Sequence, residues 1–142
     1  MIDPAAPAIN TEHSRFIATF LGVAPAMFLG PLDQTIVATA LPAIAAALSG
    51  FAHIAWVVTA YLLAATVAAP IYGRLGDALG RKRALLGALV LFIVGSVGCG
   101  VAPDFYTLVA ARAIQGLGGG GLMTSSQSLI GETVNPKDRG RF

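Results

Sequence analysis

Charge is what this sequence has least of. Aspartate, glutamate, lysine and arginine make up 11% of its 142 residues, where a soluble domain carries about a quarter. So few charges cannot cover a water-facing surface, which argues against a soluble enzyme or binding module. Cysteine is nearly absent too: Cys99 is alone, so no disulfide forms within the chain. His13 and His53 stand without thiols or carboxylates at ligand spacing, and no metal site is expected. The net charge of +2 is too small to point to nucleic acid. No GK[ST] phosphate loop and no GxSxG nucleophile motif occurs. Gly116 to Gly121 matches GxGxxG, but the match lies inside a long apolar stretch with no strand before it, so it is not read as a dinucleotide site.

What is present is apolar length. No charge occurs from Gln34 to Gly73 or from Ala84 to Pro103, and mean hydropathy is +0.75. Uncharged runs of 18 or more residues cross about 30 Å of hydrocarbon as helix. The fold class is therefore all-α, a polytopic transmembrane helix bundle whose first partner is the lipid bilayer. The polar N-terminal stretch 1–15 carries one basic residue, Arg15, and the apolar run after it is too long for a signal peptide. Spans are expected at 16–41, 54–72, 84–101 and 105–130, with a polar basic stretch at 131–142. Pro25 and Pro31 are expected to kink the first, and Gly22, Ala26 and Gly30 give it a face of small residues for close approach. An external turn is expected near Ser49 to His53, with Trp56 as an interfacial anchor.

Basic residues set the orientation. Arg15, Arg74, Arg81, Lys82, Arg83, Lys137, Arg139 and Arg141 share one side if four helices cross. The positive-inside rule makes that side the cytoplasm, with both termini there, in the cell membrane.

Two charges lie inside the spans, Asp33 and Arg112. Each costs about 2.5–3.5 kcal/mol to place at a helix centre, so such residues face a bundle interior or a water-filled path. Counted from Pro42 and Asp104, both lie roughly 12–14 Å below the outer end at 1.5 Å per residue. A direct or water-bridged pair is feasible. It reads either as a proton-exchanging carboxylate biased by an arginine or as a structural ion pair. Leu108, Arg112, Gln115, Gly116 and Gly119 fall on one helical face, which suits a polar substrate or proton path and equally suits close packing around Gly116 and Gly120.

The densest charge lies in GRLGDALGRKR, Gly73 to Arg83, which holds Arg74, Asp77, Arg81, Lys82 and Arg83. Read as a loop, its basic residues fix topology. Gly73, Gly76 and Gly80 permit tight turns, and Asp77 can cap a helix.

At this point the chain resembles the major facilitator superfamily. GRLGDALGRKR is similar to that family's signature loop between helices two and three. Leu32 to Pro42, LDQTIVATALP, resembles the first-helix motif of its drug:proton antiporters, notably the fourteen-helix branch. Arg112 to Gly118 resembles the fourth-helix motif tied to proton coupling, and Asn135 to Arg141 resembles the loop entering helix five. The resemblance implies the first four helices of an N-terminal half. It also implies proton-coupled efflux of a small molecule, a cationic or hydrophobic drug, without enzymatic chemistry and with no cofactor beyond the proton gradient. Arg112 would tune proton exchange, Asp33 would support coupling or substrate handling, and Gln115 and Gly116 would lie on the same pathway. Gly73, Gly76, Asp77, Gly80, Arg81, Lys82 and Arg83 would gate the cytoplasmic side. Such transporters have twelve or fourteen helices, so the chain is expected to need its missing half or an oligomeric partner. The alternatives are a small four-helix dimeric exporter, although no span here holds the glutamate those rely on, and a non-transporting membrane fragment.

Overall fold

The computed structural model describes residues 6–133, with side chains from His13 onward. The stretch Asn135 to Arg141, with three of the orienting basic residues, lies outside the described residues. Four α-helices follow one another: α1 (Ala6–Ala47), α2 (Ala55–Leu79), α3 (Arg81–Gly100) and α4 (Phe105–Thr133). A short 3-10 turn at Phe51–His53 links the first two.

Helix α1 begins at Ala6, well ahead of Phe16, and stays helical through Pro25, Pro31 and Pro42. Its turn into α2 uses Ser49 at φ 54°, a left-handed conformation uncommon for any residue with a side chain. Gly50 follows directly beneath the Phe105 ring, where a Cβ would collide.

The segment Gly73 to Arg83 is not a loop. Helix α2 runs to Leu79 and α3 starts at Arg81, so the break is the single residue Gly80. At φ 96° and ψ 140° Gly80 occupies a conformation costly for residues with a Cβ. Its N–H donates to the Gly76 carbonyl and its own carbonyl accepts from the Ala84 N–H, so the helical bonding nearly closes over the corner. Gly73 and Gly76 lie within the helix, and neither makes a turn.

Helix α4 is the centre of the bundle. It packs against all three other helices, whereas α1 and α2 barely touch one another. Among the described residues, three helical stretches are long and apolar enough to cross a membrane: His13–Ala47, Phe51–Leu79 and Arg81–Gly100. Helix α4 is not among them, although four spans were expected from the sequence. Its 29 residues reach about 43 Å at 1.5 Å per residue, more than a bilayer core. What it lacks is hydropathy, because Arg112, Gln115, Ser125, Ser126 and six glycines dilute it. Arg112, Gln115, Gly116, Gly118 to Gly121, Ser125 and Ser126 are all buried by the neighbouring helices, so lipid is not their solvent.

The glycines of α4 let backbones meet. A Cβ at Gly116 or Gly120 would strike the α2 backbone at Tyr61 and Ala65, and one at Gly118 would strike α3 at Phe92 and Ala88. From the other side, a Cβ at Gly95 would sit 2.5 Å from the Gln115 backbone. Small residues at such crossings replace the hydrophobic drive that lipid does not supply. The face Gly22, Ala26, Gly30 works only in part. Ala26 packs on the core formed by Tyr61, Ala88, Phe92 and Leu122, and Gly30 lies near the Tyr61 hydroxyl, but nothing approaches Gly22.

The outside is apolar. Phe28, Leu32 and Ile36 on α1, Leu62, Leu63 and Val67 on α2, and Val90, Val94 and Val97 on α3 are all exposed. That pattern fails in water and suits hydrocarbon. The chain is a multi-pass membrane protein, with the bilayer as its surroundings.

Candidate functional site

The site is assembled by α4 reaching sideways at Arg112. The guanidinium is 1% exposed and spends its donors on three helices. Nη1 donates to Asp33 Oδ2 at 2.5 Å and to Gln115 Oε1 at 2.7 Å. Nη2 donates to Gln34 Oε1 at 3.3 Å, and Nε donates to the Val57 carbonyl at 3.2 Å. The Tyr61 ring covers the guanidinium, with its centroid 4.5 Å from Cζ. Gln115 closes the cluster, its Nε2 donating to Asp33 Oδ1 at 2.7 Å. Both carboxylate oxygens of Asp33 are therefore engaged, one by a cation and one by an amide.

Charge-assisted bonds of this kind are the strong ones, and planar guanidinium geometry is what allows several partners at once. A buried ion pair without the added bonds would not repay the loss of hydration. Here Gln115, Gln34 and the Val57 carbonyl supply them.

The cluster forms one wall of a cavity of about 320 Å³. Asp33, Arg112, Gln115, Ser96 and Cys99 give its polar rim, and Ile36, Val37, Ile44, Leu48, Val57 and Leu108 give its apolar sides. The Cys99 thiol donates to Gln115 Oε1 at 3.4 Å. A largely apolar cavity with a few convergent polar groups is the usual form of a small-molecule site.

Of the residues singled out by sequence, Asp33, Arg112 and Gln115 come together as one network. Gly116 does not line the cavity; it lets α4 meet the α2 backbone at Tyr61. The residues of Gly73 to Arg83 lie elsewhere, near the far end of α4. There Arg81 Nη2 pairs with Asp77 Oδ1 at 2.7 Å, and Arg81 Nε donates to Glu132 Oε1 at 2.9 Å. Gly76 gives the Arg81 side chain room to fold back, its would-be Cβ lying 3.1 Å from Arg81 Cδ. Arg74, Lys82 and Arg83 are exposed, and a Cβ added at Gly73 would meet open space. Arg112 and Glu132 are roughly 30 Å apart along the helix at 1.5 Å per residue.

Gln34, Tyr61, Cys99 and Glu132 were missed as site residues. Gln34 adjoins Asp33, and Tyr61 is a polar-tipped ring in the middle of an uncharged helix; both were signals. Glu132 sits at the end of a long apolar run and reads as tail, yet α4 carries it to Arg81.

The family model described as Major Facilitator Superfamily matches residues 23–142. The efflux pump dotC of Dothistroma septosporum is 44% identical over 124 residues, 87% of this chain and 21% of that protein. Multidrug resistance protein 3 of Bacillus subtilis is 41% identical over 122 residues, 86% of this chain and 24% of that one. The multidrug transporter protein MdtP of the same species is 40% identical over 131 residues, 92% of this chain and 24% of its own. No solved structure gives a significant match. The chain thus spans about a fifth to a quarter of the length of these curated relatives. Its helical bundle and its sequence agree on one assignment: the chain belongs to the Major Facilitator Superfamily, a family of membrane carriers that are in general not enzymes.

Proposed function

We propose that this chain forms part of a proton-coupled efflux transporter for small molecules, with Asp33 as the proton carrier and Arg112 as the group that biases it. The observation that carries the reading is the placement of Asp33. It is a carboxylate in a membrane-crossing helix, at a cavity wall, with both oxygens engaged from α4. Ionised, Asp33 ties α1 to α4. Protonated, it loses its charge and releases its share of the guanidinium. Proton uptake thereby removes the charge-assisted part of the α1–α4 contact, which lets a proton gradient bias a conformational change.

The substrate class follows from the cavity lining. Aliphatic sides favour a hydrophobic molecule, and a cationic one gains from Asp33 whenever Arg112 yields. The names of the Bacillus relatives fit a broad range of drugs. The energy source is the proton gradient, with no cofactor.

Asp77, Arg81 and Glu132, with Gly80 as the corner, form the gate on the opposite, cytoplasmic side. The basic residues around them hold that side in the cytoplasm of a cell whose plasma membrane the protein crosses. Alternating access rocks one bundle against another around a central site. The second bundle comes from further helices of a longer chain or from an oligomeric partner.

The test is dye efflux from liposomes under an imposed pH gradient. The expected result is flux in the wild type and loss of it in Asp33→Asn and Arg112→Ala. Flux unchanged in both variants would sink the assignment of the proton site. Correct insertion with no flux in the wild type leaves a membrane-inserted bundle without transport of its own.

A further inference from the structure

The guanidinium of Arg112 is held from two helices, α1 and α2, which also meet where the Tyr61 hydroxyl lies against Gly30 of α1. From α1 come Asp33 and Gln34. From α2 come the Val57 carbonyl and the Tyr61 ring. Val57 and Tyr61 are one helical turn apart and share a face, so together they make a single cradle. Helices α1 and α2 barely touch directly, so the guanidinium is a main link between them.

The seat of Tyr61 is built for it. The residue is 5% exposed. A Cβ on Gly30 of α1 would lie 3.2 Å from the Tyr61 hydroxyl, and one on Gly119 of α4 would overlap it. Two helices thus give up a side chain at the place where one phenol ends. With the hydroxyl end lodged there, the ring face is fixed over Arg112. A cation against an aromatic face is held more strongly when both are out of water.

We propose that Tyr61 is the positioning residue of the cluster. Its ring and the Val57 carbonyl keep Arg112 on α2 in both protonation states of Asp33, so that proton uptake frees α1 while α4 stays docked. This rests on the reading of Asp33 as proton carrier. It adds which contact breaks and which persists. The groups facing Arg112 are Asp33 on α1, Tyr61 on α2 and, through Gln115, Cys99 on α3. Asp33 is the one carboxyl among them, and the α2 cradle offers a carbonyl dipole and a ring.

The experiment uses the purified protein in lipid nanodiscs. Infrared spectroscopy follows the protonated-carboxyl band that Asp33→Asn removes. In Tyr61→Leu the guanidinium loses its seat and drifts from Asp33. The pH profile of the band should move to higher pH by about one unit, tenfold in proton affinity. Tyr61→Phe keeps the ring and should follow the wild type. A Tyr61→Leu profile identical to wild type overturns the proposal. A wild type with no Asp33 band at any pH overturns the proton reading instead. The positioning role is then decided by melting temperatures alone. Tyr61→Leu and Arg112→Met should together lower the melting temperature by less than their separate effects summed, in the wild type and in the Asp33→Asn background. Strict additivity in either background overturns the proposal.

Discussion

Two aspartate–arginine pairs lie near opposite ends of α4, made of the same ions in opposite surroundings. In the pair Asp33–Arg112 the side chains are 18% and 1% exposed, and in Asp77–Arg81 they are 69% and 22% exposed. The first pair joins residues far apart in sequence and recruits Gln34, Gln115, a carbonyl and a ring. The second joins neighbours one helical turn apart and adds only Glu132. Burial explains the difference. A guanidinium in a low-dielectric interior needs several of its donors satisfied, so its partners come from α1, α2 and α4 together. At the open end water supplies whatever the protein does not, and two carboxylates suffice. The buried pair is therefore the one on which the bundle's geometry depends, and the open pair is the one free to be exchanged for other partners.

Cutting each pair should expose this contrast. The largest effect is expected for Arg112→Met. It leaves Asp33 charged among apolar side chains with Gln115 as its remaining partner. Breaking a buried pair from one side costs about 3–5 kcal/mol, because the surviving charge is uncompensated. The double variant Asp33→Asn with Arg112→Met should recover most of that loss, since no charge is left behind. Unfolding in detergent followed by circular dichroism measures both. A double variant no more stable than Arg112→Met alone would show that the pair is not energetically closed.

The two pairs also differed in how far they were legible in the sequence. Asp33 and Arg112 stood out as lone charges in uncharged runs, and counting from Pro42 and Asp104 put them at one depth. The structure pairs them. For the glycine run of α4 the sequence offered close packing beside a polar path, and the structure shows the packing, with Gly116 and Gly120 against the α2 backbone. Tyr61 and Gln34 were weaker signals, since a neutral polar group leaves no mark in charge and only its place beside Asp33 or in mid-helix singles it out. Gly73 to Arg83 misled because glycines near charges resemble turn chemistry. Only Gly80 has the backbone angle that a turn needs; Gly76 is there to admit the Arg81 side chain. Helix α4 itself fell short in hydropathy for a related reason. A helix enclosed by others is not selected for lipid, and sequence alone does not say which helix is enclosed.

A smaller effect is expected at the open pair. Arg81→Gln removes both the Asp77 and the Glu132 contacts. Exposed ion pairs contribute little and are screened by salt. The melting temperature should fall slightly at low ionic strength, and the difference should vanish near 1 M salt, where the screening length is about 3 Å. The deficit from Arg112→Met should survive the same salt. If both deficits disappear together, the buried pair is wetter than its burial implies and the contrast fails.

The smallest effect concerns a carboxylate with no arginine at all. Asp104 caps the start of α4: Oδ1 accepts the Thr107 N–H at 2.8 Å, and Oδ2 accepts the Thr107 hydroxyl at 3.0 Å. The backbone N–H of Thr107, then its hydroxyl, hold the carboxyl below its ordinary range. Both bonds favour the ionised form. Because the folded value is depressed, the cap's contribution is complete above the unfolded value, about 3.9. It is lost as pH falls through the folded one. Between about pH 5 and pH 8, roughly the window of maximal stability, the first turn of α4 should not respond to pH. The Thr107 amide resonance, followed by NMR in acid, should shift with a midpoint under about 3.9, and the shift should be absent in Asp104→Asn. A midpoint at or above the ordinary value would mean that the cap is not formed in solution. Asp104 would then be a solvated carboxylate without a partner, and α4 would begin without a fixed first turn ahead of the Arg112 that lines the cavity.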